Sequence, residues 1–217
     1  MAKRLYFIAK PSYQGLIVEK HINFEYFRGR DHKQKVKSIK AMQHAIMAAE
    51  SGGKVLEVSK YSPSDLGKQL SSLNLEYENS EGKTYPVINI FESSKVFEFG
   101  GPYRDLLHVD PKDLDEDPRL KESGRLLGFH FEDEPYTLEP RSLFFDYIYI
   151  RALHQYKEIQ DKLLEYDMIS DVTYNMGKMF ASSARACAYF ISLKRADKLE
   201  SALESVDSFK EIYTYSF

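Results

Sequence analysis

The spacing of hydrophobic positions changes repeatedly along the chain. Leu5–Ile8 and Ile22–Phe27 read as strands. Val36, Ile39, Met42, Ile46 and Ala49 then recur at helical spacing, and Gly52-Gly53 predicts where that helix closes. Lys54–Ser59 returns to a period of two, with Leu56 and Val58 on one face of a strand. Ser62-Pro63-Ser64-Asp65 has the capping-box pattern with proline at the first helical position, and Leu66, Leu70 and Leu73 share a face after it. Asn79-Ser80-Glu81-Gly82 is a turn before an extended piece at Lys83–Pro86.

The second half is richer in helical spacing. A helix over Val87–Glu98 is expected to stop at Gly100-Gly101-Pro102. Leu127, Phe129 and Phe131 alternate as a strand, which Glu132-Asp133-Glu134-Pro135 turns toward Tyr136 and Leu138. Helices over Ser142–Gln155, Lys157–Tyr166 and Ser182–Lys194 follow, and Tyr213, Tyr215 and Phe217 alternate like a last strand. Strands scattered among unequal helices predict the α+β class. No repeat, low-complexity tract or linker divides the chain, so one domain over residues 1–217 is expected.

Composition narrows this picture. A chain of 217 residues buries roughly 70% of the surface its unfolded form exposes, so neither metal nor disulfide is needed to hold it. Its 16 Tyr and 14 Phe exclude a disordered chain. Cys187 is the only cysteine, which rules out an internal disulfide, and its apolar helical setting predicts a buried, inert thiol. Leu5–Ala9 after Lys3-Arg4 is too short for a signal peptide, and no stretch reads as a membrane span, so a cytoplasmic protein is expected.

Net charge is −3, which excludes a general polyanion binder, but the charges segregate. Arg28, Arg30, Lys33, Lys35, Lys37 and Lys40 face one acid, Asp31, while Asp110, Asp113, Asp115, Glu116 and Asp117 face only Lys112. A solvated helix face accounts for the basic stretch about as well as a phosphate contact does.

Familiar chemical motifs are missing. The histidines, His21, His32, His44, His108, His130 and His154, are dispersed, and there is no Cys-x-x-Cys, so no metal site is expected. Neither a phosphate-cradling glycine loop nor a Gly-x-Ser-x-Gly elbow is present, and no cofactor is expected. The informative stretch runs from Leu70-Ser71-Ser72-Leu73-Asn74-Leu75 through Gly82-Lys83-Thr84-Tyr85-Pro86 to Phe91-Glu92-Ser93-Ser94-Lys95-Val96-Phe97. On the expected helix, Val87, Ile90, Ser94 and Phe97 form one stripe, and Ile88, Glu92 and Lys95 another. Taken alone, this acid and base read most simply as a surface pair worth about a few tenths of a kcal/mol.

In order and spacing these pieces resemble the core of the NADAR superfamily. Further matches at Phe24–Phe27, Leu56–Lys60, Lys95–Tyr103, Leu138–Pro140 and Phe145–Tyr147 resemble one branch, the antitoxins paired with DarT-type DNA ADP-ribosyltransferase toxins. The resemblance implies a single mainly helical NADAR-type domain with a small mixed sheet. It also implies a hydrolase that removes ADP-ribose from guanine bases of nucleic acid. The chain departs from the pattern at Ile88, where the family has glutamate, and at Glu92, where it has glutamine; Tyr26 or Phe27 stands where tryptophan is usual. Either Glu92 substitutes for the missing carboxylate or the chain binds ADP-ribose or NAD without turning it over. Other NADAR proteins imply a further alternative, an N-glycosidase of phosphoribosylated riboflavin-pathway intermediates.

Cleaving such a bond puts positive charge on the anomeric carbon, as in glycoside hydrolysis. A carboxylate must meet that charge or activate water, and an acid must protonate the leaving nitrogen. Glu92 is the candidate for the first role. Lys95 is the candidate acid or electrostatic clamp, or the amine of a Schiff base with an opened ribose. Asp146, inside the apolar run Leu143–Ile150, is either structurally paired or a further functional acid. Ser71 and Asn74 fall to the ribose hydroxyls, Asn74 equally to a loop cap. Tyr26 and Tyr103 fall to stacking on a base, and Lys35, Lys37 and Ser38 to a diphosphate at a helix start. The expected partners are ADP-ribosylated DNA or ADP-ribose and a DarT-type toxin, with no membrane.

Overall fold

The computed structural model describes residues 1–12, 15–29, 31–175, 177 and 179–214. Strands β1 (Ala2–Ser12) and β2 (Gly15–Phe24) lead to α1 (His32–Ala49), β3 (Val55–Glu57) and α2 (Asp65–Gln69). A hairpin of β4 (Glu76–Glu78) and β5 (Thr84–Pro86) runs straight into α3 (Val87–Ser93) and β6 (Lys95–Phe97). After 3-10 turns at Arg104–His108 and Leu114–Glu116 come α4 (Arg119–Glu122), β7 (Leu126–Phe131) and β8 (Glu134–Tyr136). The chain ends with α5 (Leu143–His154), α6 (Lys157–Leu163), β9 (Met168–Ser170), α7 (Ser183–Arg195), α8 (Leu199–Leu203) and α9 (Val206–Thr214). The class is α+β, as expected, but among the described residues the strands form three sheets where one small mixed sheet was anticipated.

The largest sheet has the order β2-β1-β9-β3, with β3 parallel to β9 and the other pairs antiparallel. The period of two in β1 sorts its side chains. Leu5, Phe7 and Ala9 enter the main core, while Tyr6 and Ile8 face a smaller cluster. Helix α1 closes that smaller cluster with Ile39, Met42 and Ile46, which lie on one helical face.

The main core is organised by α5, whose residues Leu143–Ile150, Ala152 and Leu153 are buried on every side. Phe144 packs 4.6 Å from Phe129 and 4.7 Å from Tyr136, ring centre to ring centre. Phe91 of α3 lies 5.3 Å from Phe129, 5.2 Å from Phe145 and 5.6 Å from Phe180. Burying a phenylalanine side chain fully stabilises the fold by roughly 1.5–3 kcal/mol, so this cluster anchors α3 firmly. Cys187 is buried beside the Tyr149 hydroxyl, and burial pushes its thiol up to about 12, which makes it inert as expected.

Several elements differ from the expectations. The helix expected over Val87–Glu98 stops at Ser93, because Lys95-Val96-Phe97 pairs as a strand with β7. A cross-strand partner distant in sequence outweighed local helical spacing. The first strand pair ends at Phe24 and not at Phe27, and β3 is shorter than Lys54–Ser59. Helix α2 starts at Asp65 after Ser64, which makes no side-chain cap bond, so Pro63 does not occupy the first helical turn. Helix α1 ends at a Glu50 cap, just before the two glycines.

Of the expected final strand, only Tyr213 is described, and it belongs to helix α9. Val206, Phe209, Ile212 and Tyr213 recur at helical spacing, and Phe209 packs 5.2 Å from Tyr147 of α5. Tyr215 and Phe217 lie outside the described residues.

Candidate functional site

Helix α3 is pinned where it starts. Its first backbone N–H groups have no partner within the helix, and the preceding loop supplies them: Val87 N donates to Leu75 O at 2.9 Å and Ile88 N to Ser72 O at 3.0 Å. The same loop contains Ser71 and Asn74, so both border the start of α3. At the other end, His130 N donates to Ser94 O at 2.8 Å, and Lys95 opens β6 opposite Phe129. Gly101 returns against this strand with φ +82°. A Cβ there would lie 2.2 Å from Lys95 O, so only glycine fits.

Lys95 is therefore not on the helix, yet the turn brings its Nζ 2.5 Å from Glu92 Oε2. The two side chains are only 15% and 11% exposed, respectively, and the Lys95 ammonium sits 4.8 Å from the centre of the Phe91 ring. Burial raises the Glu92 carboxyl above its ordinary range; Lys95 pulls it down, and the charge of Asp115 adds to the rise. Glu92 Oε1 accepts no hydrogen bond from the described residues. The arrangement holds a carboxylate and an ammonium group side by side, both largely buried.

A cleft of about 610 Å³ lies elsewhere on the chain, and neither Glu92 nor Lys95 lines it. Phe180 packs on Phe91, and the Arg141 guanidinium lies 4.9 Å from the Phe180 ring centre. Arg141 lines the cleft together with Glu139, Ser142, Arg185 and Tyr213. At its edge, Asp146 is fully buried and accepts hydrogen bonds from Arg185 Nη1 and, at 2.9 Å, from the Tyr213 hydroxyl. Its Oδ1 has no partner among the described residues. Arg185 also donates through Nε to Glu19 at 2.9 Å and stacks over Tyr189 and Tyr213. Burial outweighs the pull of Arg185 and raises the Asp146 carboxyl to about 6. Of the two readings open for Asp146, it has the structural pairing. A single arginine in the apolar stretch Ala184–Tyr189 was the available signal for its partner.

The other candidates are dispersed. Ser71 is buried, and its carbonyl accepts from Asn74 N and Leu75 N, both at 2.8 Å. Asn74 Nδ2 donates to Lys68 O at 2.8 Å, which caps the end of α2. Tyr103 reaches β6 through Phe97, but its hydroxyl is 2.5 Å from Ser123 Oγ and Arg119 covers its ring at 4.7 Å. Tyr26 and Lys37 lie elsewhere, beside the smaller cluster under α1: Tyr26 accepts from Lys35 Nζ at 2.7 Å, and Lys37 Nζ is 5.9 Å from the Phe27 ring. The start of α1 does not offer a diphosphate site. Asp31 already caps it with a carboxylate, and Ser38 is buried with its Oγ accepting from Phe27 N at 2.9 Å.

A pair of acids went unread in the sequence. Alternation puts Glu57 on the face opposite Leu56 and Val58, but β3 lies parallel to β9 and is covered on both faces. Glu57 accepts from Ser59 Oγ at 3.1 Å, Ser170 Oγ at 2.6 Å and Val172 N at 2.8 Å. Burial, and then the charge of Asp171, raises it to about 7. The folded state thus holds a proton on Glu57 that the unfolded chain releases near the ordinary value of 4.5. Its stabilising contribution is complete below that pH and falls as pH rises toward about 7. Glu57→Gln is expected to flatten this fall in thermal melts across the window. A variant whose melting temperature tracks the wild type at every pH would refute the assignment.

With its α+β fold and its Lys95 turned back behind the Gly-Lys-Thr-Tyr-Pro hairpin, the chain is a NADAR protein. More narrowly, the model of the DarT1-associated NADAR antitoxin family matches residues 2–217, and the chain belongs to that family. It is thus a member of an antitoxin family that pairs with a DarT-type toxin. No curated protein matches it. Among the described residues, no helix is long and apolar enough to cross a membrane.

Proposed function

We propose that this protein is a hydrolase that removes ADP-ribose from guanine bases of DNA in the cytoplasm and so reverses the modification made by its toxin. The observation that carries this reading is the close contact of Glu92 with Lys95, with Glu92 Oε1 left open. In the reaction, water adds its oxygen to the ribose anomeric carbon and the carbon–nitrogen bond to guanine breaks. Glu92 takes the proton that the water gives up, and Lys95 supplies one to the leaving nitrogen. The products are ADP-ribose and the restored base. Position 92 follows Ile88 by four residues on the same helical face, so a carboxylate there lies beside the place of the one that is missing. Ile88 itself packs against the main core, an apolar setting that suits isoleucine better than glutamate. Arg141, at the edge of the cleft reached through Phe180, is the cation we assign to the diphosphate.

Ile88 also favours a second reading, a module that binds ADP-ribose without turnover. The two separate when the protein is incubated with an oligonucleotide carrying ADP-ribosylated guanine and released ADP-ribose is followed by chromatography. Catalytic release is expected. No release, together with ADP-ribose binding in calorimetry, would replace the hydrolase with the binding module.

A further inference from the structure

We propose that Asn89 is a positioning residue: it fastens the acidic segment Arg104–Asp117 to the Glu92 side of α3 and so sets the charges around the Glu92–Lys95 pair. The proposal rests on the assignment of the chemistry to that pair. Asn89 lies three residues before Glu92 on α3, on the same helical face, and is fully buried. Its Nδ2 donates to Leu106 O at 2.8 Å and to Val109 O at 2.7 Å. These carbonyls belong to the closing end of the first 3-10 turn, where a helical turn leaves acceptors unfilled. Asn89 Oδ1 has no partner among the described residues. A buried amide with one atom unpaired costs stability that a leucine of similar size would not. In return the asparagine makes two bonds to a segment 17 and 20 residues away.

The segment that Asn89 holds brings a charge to the pair. Leu114 is buried, and Lys121 Nζ donates to the backbone carbonyl of Asp115. The Asp115 carboxylate forms no ion pair among the described residues. The charges that act on Glu92 are this carboxylate, which favours its protonated form, and the Lys95 ammonium, which favours the ionised one. Other titratable groups on the elements packed against α3 are engaged elsewhere. In the first turn, Asp105 pairs with Arg119, Arg104 lies 3.7 Å from Asp133, and His108 packs on Tyr85 of β5. On α5, Asp146 is held by Arg185, and Arg151 pairs with Glu132. Loosening the segment takes the Asp115 charge away from Glu92 and lets water reach it. Both effects favour the carboxylate, so Glu92 then titrates at lower pH.

The test follows the Glu92 carboxyl carbon by nuclear magnetic resonance across pH in the full chain, with Glu92→Gln to identify its signal. Hydrogen exchange at the Leu106 and Val109 amides follows the segment. In Asn89→Leu both amides are expected to exchange about tenfold faster, the equivalent of one lost hydrogen bond, and Glu92 to titrate at lower pH. Asp115→Asn, on an exposed residue, is expected to lower the titration of Glu92 while both amides exchange as in the wild type. Glu158→Gln on α6 makes the same change in net charge as Asp115→Asn and is expected to leave both readings unchanged. Circular dichroism checks that each variant is folded, and Asn89→Ala takes the place of Asn89→Leu if the latter does not fold. The proposal is overturned if the amides keep their wild-type exchange without Asn89, if they exchange faster while Glu92 titrates unchanged, or if Asp115→Asn matches the α6 control. Neither reading requires turnover, so a wild type that releases no ADP-ribose would remove the hydrolase and leave this result standing.

Discussion

Lys95→Ala is expected to lower the release of ADP-ribose from modified DNA by about 10²–10⁴-fold, the usual contribution of a positioned acid or base. That range corresponds to roughly 3–5 kcal/mol of transition-state stabilisation. The substitution removes the proton donor and the cation that stands 2.5 Å from Glu92. Glu92→Gln is expected to fall as far, because it keeps the shape of the side chain and loses the base. The pH dependence follows from the burial of Glu92. Its carboxyl is raised above the ordinary range, and only the ionised form accepts the proton of water, so activity rises with pH through a point above that range. In Lys95→Ala the downward pull on Glu92 is gone, and the rise in whatever rate persists moves to higher pH. Steady-state rates across pH, with a thermal melt to confirm folding, check both statements. Full turnover by Lys95→Ala would remove this pair from the chemistry.

The second large effect is on stability. Arg185→Ala is expected to destabilise the fold by about 3–5 kcal/mol in urea, because it leaves the Asp146 charge in the core without its cation. Asp146 is fully buried, and Tyr213 would remain as its donor. The carboxyl already stands at about 6 in the folded protein, above its ordinary value of 3.8. Its stabilising contribution is therefore complete below that ordinary value and is lost as pH rises through about 6. Without Arg185 the loss extends to higher pH, so the variant is expected to be closest to wild type in acid. Replacing both partners, Arg185→Met with Asp146→Leu, is expected to recover much of the loss, since a buried ion pair seldom outperforms well-packed apolar groups. A cost below about 1 kcal/mol for Arg185→Ala, the range of exposed pairs, would show that the bridge is not structural.

How far each feature could be read follows from the distance over which it is determined. The strand at Leu5–Ile8 and the helix carrying Ile39, Met42 and Ile46 were legible because their spacing is local and repeated. The helices around Leu143–His154 and Ser183–Arg195 were legible for the same reason, as was the inert setting of Cys187. The family was legible because the order of Ser71–Leu75, Gly82–Pro86 and Phe91–Phe97 is a property of the chain itself. The final helix had a local signal too, in the helical spacing of Val206, Phe209 and Ile212, which competes with the alternation of Tyr213, Tyr215 and Phe217.

Sequence alone determined the α+β class, the family, and the proximity of Glu92 to Lys95, since residues three apart meet whether the chain coils or turns. Tertiary structure decided that Lys95 stands on a strand, that Asp146 belongs to Arg185, and that Glu57 is buried beside Asp171. Each of those outcomes depends on a partner at least 30 residues away, Phe129, Arg185 or Ser170. Local spacing says which face a residue takes on its own element, but burial and charge depend on what the fold sets against that face.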